Sequence, residues 1–355
     1  MESTQTQQLF FNHIKSKIPS HLSLVEEVAG ILNISNDSAY RRIRGEKPIS
    51  LDETHLLCSK YQVSIDQLLQ TSTNTVIFSD DRVDLSLGFN KYLQFAAHNL
   101  GLFNMLQNPL MYYSSKDLPI FHFMPFPELR AFKFFFWKRT VIGYPELARQ
   151  KFNGEEDDQE AVALAKKIDE LFVRLPSTDI FNDESVNVTL SQIDMYRQAN
   201  VFAGNDILLK VYSQLEELVD HLEVQLESGR KSYYNRPDTA HYAPYDAYIN
   251  ESLIGDNTIY VQSDNRQIAF INHNGLNFMS TQDKNFCEFT HKHLQNVIRK
   301  STHISVVGEK ERSMFFNTLR NKITERKKGL IWLGMAILSW SSSVGCDWLD
   351  FGIGL

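Results

Sequence analysis

Three cysteines in 355 residues, Cys58, Cys287 and Cys346, leave little room for a disulfide framework. They are odd in number, far apart, and carry no CxxC or Cys/His ligand spacing, so a reducing compartment without structural zinc is expected. Net positive charge is also lacking. The formal charge is -7, which excludes a generic polyanion binder and requires any nucleic-acid contact to come from a local basic patch. No apolar run follows a basic start in MESTQTQQLFFNHIKSK, so no signal peptide is read there and a cytoplasmic start is expected. Catalytic signatures are missing as well: no GxxxxGK[ST], no GxGxxG after a strand, no HExxH and no GxSxG. No catalytic residue, metal site or cofactor is therefore expected, and the chain is not read as an enzyme.

Long apolar runs are scarce, with one exception. Gly329 to Cys346 carries no charge and follows Arg326, Lys327 and Lys328. The run only just reaches spanning length and its second half is serine-rich, so a buried or disordered tail is the first reading and a membrane anchor the second.

What is present divides into four parts: 1–72, 73–231, 232–326 and an apolar tail, 327–355. Together they read as a multidomain α+β protein. The first part reads as short helices, because Ser23-Leu24-Val25-Glu26, Ser50-Leu51-Asp52-Glu53 and Ser64-Ile65-Asp66-Gln67 each match a capping box. QTSTNT (70–75) reads as a linker. The second part is mostly helical, with short strands at 76–79 and 120–123, a buried helix in PFPELRAFKFFFWKR (125–139) and a solvated acidic loop at 153–160. Leu208, Tyr212, Leu215, Val219, Leu222 and Leu226 alternate steps of four and three, a helix seam whose partner is either in the same chain or in a second copy. The third part, 232–326, is rich in β-formers, with turn signals GDN and DNR. It is expected to form an antiparallel sheet of three or four strands, covered by helices at 281–300 and 309–326.

The most informative stretch is SNDSAYRRIRGEKPIS (35–50). A helix-turn-helix needs two short helices with a small residue inside the first and a tight turn between them. Here SLVEEVAGIL supplies the first helix and Ala29 the small residue. Asn33 stands where the turn needs a left-handed backbone, Ile34 anchors the turn and Ser35 caps the second helix. With Ala39 and Ile43 inward, about 100° per residue turns Asp37, Arg41 and Arg44 outward, with Ser38 and Tyr40 beside them. Arginine grips phosphates or a guanine edge, Asn36 at the helix start reaches an adenine, and Lys47 in the next loop suits a phosphate. The expected DNA-binding set is Asn36, Asp37, Ser38, Tyr40, Arg41, Arg44 and Lys47. The charge is local: residues 1–71 carry seven lysines and arginines against eight aspartates and glutamates.

VEEVAGILNISNDSAYRRIRGEKPISLDETHLLCSKYQVSIDQLL (25–69) resembles the helix-turn-helix of bacterial Cro/repressor-like transcriptional regulators, through Ala29, Ile34-Ser35, Gly45 and the closing VSIDQLL at 63–69. Asn33 replaces the common turn glycine, and Ile43 sits one position later than the usual core residue. The resemblance covers about an eighth of the chain. It implies a regulator that binds double-stranded DNA. The 208–226 seam motivates the expectation of a homodimer, and the C-terminal region is expected to sense a small-molecule effector or to mediate assembly. The rival reading is an adaptor whose helical domain docks a protein partner.

Other residues were weighed for chemistry. His291 and His293 are two apart on a helix and point in nearly opposite directions, so they read as surface residues. His98 and His122 lie in apolar surroundings and read as core histidines, or, with Tyr112, Tyr113, Phe136 and Trp137, as the lining of a pocket. YYNRPDTAHYAPYDAY (233–248) reads as an interdomain connection or a ligand-facing loop.

Overall fold

The computed structural model describes residues 3–19, 21–61, 63–65, 76–80, 88–235, 242–253, 257–274 and 276–343. The chain divides into two compact units, 1–77 and 78–355.

The first unit contains four described helices: α1 Ser3–Lys17, α2 Leu24–Leu32, α3 Asn36–Ile43 and α4 Leu51–Tyr61. Their apolar faces meet in a core of Phe10, Phe11, Ile14, Val28, Ala29, Ala39, Leu57 and Val63. The turn between α2 and α3 forms as expected. Asn33 is left-handed at φ 52°, ψ 49°, and the Ile34 amide closes back on the Ala29 carbonyl at 3.0 Å, satisfying a helix-end acceptor. The three capping boxes fare differently. At α4 the Ser50 hydroxyl accepts from the Glu53 amide at 3.1 Å while Glu53 accepts from the Ser50 amide at 2.9 Å. Ser23 makes no such bond. The Ser64 to Gln67 box and the 70–75 linker lie outside the described residues, wholly or in part.

The second unit is mixed α/β. Eight strands form one sheet: β1 Ser79–Asp80, β2 Leu110–Ser114, β3 Ser177–Phe181, β4 Tyr245–Ile249, β5 Thr258–Gln262, β6 Gln267–Asn274, β7 Asn277–Thr281 and β8 Thr302–His303, in the order β1-β7-β6-β5-β2-β3-β4-β8. β2, β3 and β4 run parallel; the other pairings are antiparallel. This corrects the expected purely antiparallel sheet confined to 232–326, since two central strands come from the region read as mostly helical. Both strands are almost wholly buried, so neither alternates apolar with polar residues as a half-exposed strand does. Nor does 120–123 form a strand: after Pro119 it closes a 3-10 turn, and only Ser79 of the 76–79 expectation is in a strand. The DNR turn does join β5 to β6, with the Ser263 amide bonded to the Arg266 carbonyl at 2.8 Å. Most of the GDN turn and residues 236–241 lie outside the described residues.

Seven described α-helices belong to this unit: α5 Phe89–Asn104, α6 Pro127–Phe136, α7 Gln159–Val173, α8 Asn187–Gln198, α9 Asn205–Ser228, α10 Lys284–Arg299 and α11 Glu309–Ser343. One sheet face, with Tyr112, Ile180, Tyr260 and Ala269, packs on Cys287, Leu294 and Val297 of α10. The other presents Met111, Tyr113, Val261 and Phe270 to α5 and α7, and Phe181, Tyr245 and Ala247 to α6, α8, α9 and α11. α6 is the expected buried helix, and its burial includes Lys133. The seam residues of α9 are all buried within this chain, in one cluster with Phe315, Phe316, Leu319 and Ile323 of α11. That seam therefore presents no free face to a second copy.

The acidic loop is more than a solvated connection. Glu156 receives the Lys138 ammonium at 2.8 Å, and Asp158 caps α7 by accepting from the amides of Glu160 and Ala161. α11 continues past 326 into the expected tail as far as Ser343, and residues 344–355 lie outside the described residues. Among the described residues no helix is long and apolar enough to cross a membrane.

Candidate nucleic-acid interface

α3 begins where the Ser35 hydroxyl accepts from the Ser38 amide at 3.3 Å. Ala39 is fully buried and Ile43 packs against the core, which sets the rotation of the helix. Asn36, Asp37, Tyr40, Arg41, Arg44 and Lys47 are exposed. Arg44 lies over the Tyr40 ring, 5.4 Å from its centroid, a cation–π contact between the two exposed side chains. Ser38 differs from the others in the expected set: it is half-buried, and its hydroxyl accepts from Arg42 at 2.7 Å.

Arg42 is the inward arginine of the three. Only 6% exposed, it pairs with Glu53 through two bonds, Nε to Oε2 at 3.1 Å and Nη2 to Oε1 at 2.7 Å. The same Glu53 caps α4, so one carboxylate fixes α4 to α3. The loop after α3 is held from the other side by α1. Gln7 donates to the carbonyls of Arg42 and Lys47, both at 2.7 Å, and accepts from the Ile49 amide at 3.1 Å, while Gln8 donates to the Arg44 carbonyl. Gly45, at φ 79°, lets the chain turn there. No sequence signal marked these glutamines, because a polar run near the start of a helix reads as solvent-facing.

The charge of the face is balanced more closely than the three cations suggest. Glu46 lies 3.9 Å from Arg41 and 3.7 Å from Arg44, and Asp37 adds a second carboxylate. These exposed pairs are weak and yield readily to a phosphate, which offers a full charge and several acceptors.

In the second unit, Tyr113, Phe136 and Trp137 of the expected pocket line a cavity of about 340 Å³. His98 is exposed instead, and Tyr112 faces the opposite side of the sheet. His122 is a buried core residue: its Nε2 is 2.9 Å from Asp179, which also accepts from the Tyr245 hydroxyl at 2.7 Å. Lys231 is buried nearby, donating to the carbonyls of Phe172 and Leu175 at 3.0 and 2.8 Å, and burial pushes its ammonium down to about 7, with Asp179 opposing. The adjoining cavity measures about 10 Å³, room for about one water, and the His122, Asp179 and Tyr245 bonds tie the 120–123 turn to β3 and β4. His291 and His293 lie on α10 as expected, with His291 stacked on Tyr260. Among the described residues no group of histidine, cysteine and carboxylate side chains is arranged to hold a metal.

No family model, curated protein or solved structure matches the chain.

Proposed function

We propose that the protein is a DNA-binding transcriptional regulator of the cytoplasm, with α3 as its recognition helix and the second unit sensing an effector or mediating assembly. The observation that carries this reading is the outward face of α3, where Arg41, Arg44 and Tyr40 are exposed on a helix whose rotation is fixed by Ala39 and Arg42. Arg41 and Arg44 reach base edges or phosphates in the major groove. Asn36 at the helix start reads a base, and Lys47 contacts the backbone. Two copies binding a two-fold operator would place their recognition helices in successive grooves. With the α9 seam covered, the copies would meet through another surface, and light scattering at micromolar concentration measures whether they meet at all.

The test is selection from a genomic fragment pool at two salt concentrations, with an Arg41→Ala/Arg44→Ala variant beside the native chain. Enrichment of particular fragments, weakened by salt and lost in the variant, supports the reading. Absence of enrichment at either salt, with the helical signal intact by circular dichroism, overturns it in favour of protein docking. The feature behind that second reading is the pair of exposed leucines on α4, Leu51 at 87% and Leu56 at 49%.

A further inference from the structure

The 340 Å³ cavity lies beyond the carboxyl ends of β2 and β3, the place where open α/β sheets hold ligands. The loop after β2 supplies Lys116 and Asp117, the helix after β3 supplies Val188 and Gln192, and the Leu118 amide ties the two segments by donating to the Ser185 carbonyl at 2.9 Å. Six rings line the space: Tyr92, Tyr113, Phe123, Phe136, Trp137 and Phe278. Such walls accept a flat apolar body.

The polar groups are arranged for an acceptor. Lys133, 2% exposed, enters the lining between Phe123 and Trp137, 4.7 and 5.6 Å from their centroids. Its ammonium donates to Asp117 at 3.2 Å, to Thr189 at 3.0 Å and to the Gln192 carboxamide oxygen at 2.9 Å. Because the oxygen of Gln192 must face that cation, its NH₂ turns elsewhere and meets no acceptor among the described residues. Asp117 has its charge spent: besides Lys133 and Thr189 it accepts from the Leu118 amide at 2.9 Å. The hydroxyls of Tyr92 and Tyr113 likewise have no acceptor among the described residues. Burial raises both tyrosines, with Tyr92, Asp179 and Asp117 adding to the rise at Tyr113, so both remain proton donors at neutral pH.

We propose that this cavity binds a small aromatic carboxylic acid as its anion, the ring among the aromatic walls and the carboxylate facing the Gln192 amide and the two tyrosine hydroxyls. The site stands whether or not the first unit binds DNA.

Calorimetric titration of the full chain tests it, with indole-3-acetate as the probe and indole-3-acetamide as its uncharged counterpart. One-to-one binding of the acid is expected, with the amide weaker by about tenfold or more, the loss typical of one charge-assisted bond. Gln192→Leu and Tyr92→Phe each weaken the acid by about the same factor. Val188→Trp abolishes binding; Val188 is 42% exposed, so the larger ring has room to fill the mouth without disturbing the core. The proposal is overturned by the absence of saturable heat at millimolar acid, by equal binding of acid and amide, or by undiminished binding in a folded Val188→Trp chain. Because the titration contains no DNA, its failure leaves the reading of α3 untouched, and failure of fragment selection leaves this site untouched.

Discussion

Arg42 and Glu53 meet in a forked pair inside the first unit, with Nη2 to Oε1 at 2.7 Å and side chains 7% and 20% exposed. The pair joins α3 to α4, and Glu53 also caps α4. Arg42→Ala leaves a partly buried carboxylate without its partner and removes the bond to Ser38. It is expected to destabilise the first unit by about 2–3 kcal/mol, below the full cost of a deeply buried pair because Glu53 keeps some water. Urea unfolding followed by circular dichroism measures this, and a loss below a few tenths of a kcal/mol would show the pair to be dispensable.

The same pair sets an acid limit. Its hydrogen bonds to Arg42 hold the Glu53 carboxyl below the usual glutamate range, against partial burial and with help from the Ser50 amide. The charged form is thus favoured by folding. Its contribution is complete above the unfolded glutamate pKa, about 4.3, and is lost as pH falls below that through the lower folded value. Glu53→Gln should flatten the acid limb of the stability profile of this unit; an unchanged limb would assign acid sensitivity to other groups.

Glu46 lies beside Arg41 and Arg44, the two arginines proposed to contact DNA. Glu46→Gln removes a carboxylate that a phosphate must displace, so non-specific affinity should rise by about threefold, on the scale of an exposed ion pair. Filter binding at low salt reads the change. Affinity equal to or below that of the native chain would mean that Glu46 positions the arginines rather than competing for them.

Lys231 predicts the opposite limb in the second unit. Its folded value near 7 lies below the unfolded lysine value of about 10.4, so the unfolded chain binds more protons between the two and stability rises with pH across that window. Below about 7 both states hold the proton and the penalty is constant. Lys231→Met should remove that rise whatever it does to stability at pH 7; a persisting slope would refute the assignment.

Leu215 checks the seam. It is fully buried in the cluster that α9 shares with α11. Leu215→Ala is expected to cost about 2–5 kcal/mol at every protein concentration. A cost that shrinks on concentrating the protein would place the seam between copies.

The first unit was largely legible in sequence because its signals are local. Asn33 tolerates the left-handed turn, Ser35 and Ser50 cap, and Ala39 with Ile43 fixes the rotation of α3. The inward pairing of Arg42 was hidden, since its partner lies eleven residues away on another helix. The second unit resisted for the complementary reason. LMYYS and STDIF are covered on both faces, and what separates such strands from buried helix is their pairing with residues more than sixty positions away. Of the candidate cavity, Tyr113, Phe136 and Trp137 were named from the sequence, while Lys133 was passed over. Its signal was there: a lone lysine in AFKFFFW, on a helix apolar on most faces, has no polar side to occupy.

The place of β2 and β3 between β5 and β4 also governs how the chain can be divided. A cut after residue 231 looks natural in the sequence, yet it would strip β5 of its partner β2 and β4 of its partner β3. Two rows of unpaired amides and carbonyls, bearing Tyr245, Ala247, Tyr260 and Val261 from the interior of the sheet, would then be open to any passing strand. Such a fragment is a template for aggregation, so work on the second unit has to keep it whole from residue 78 onward.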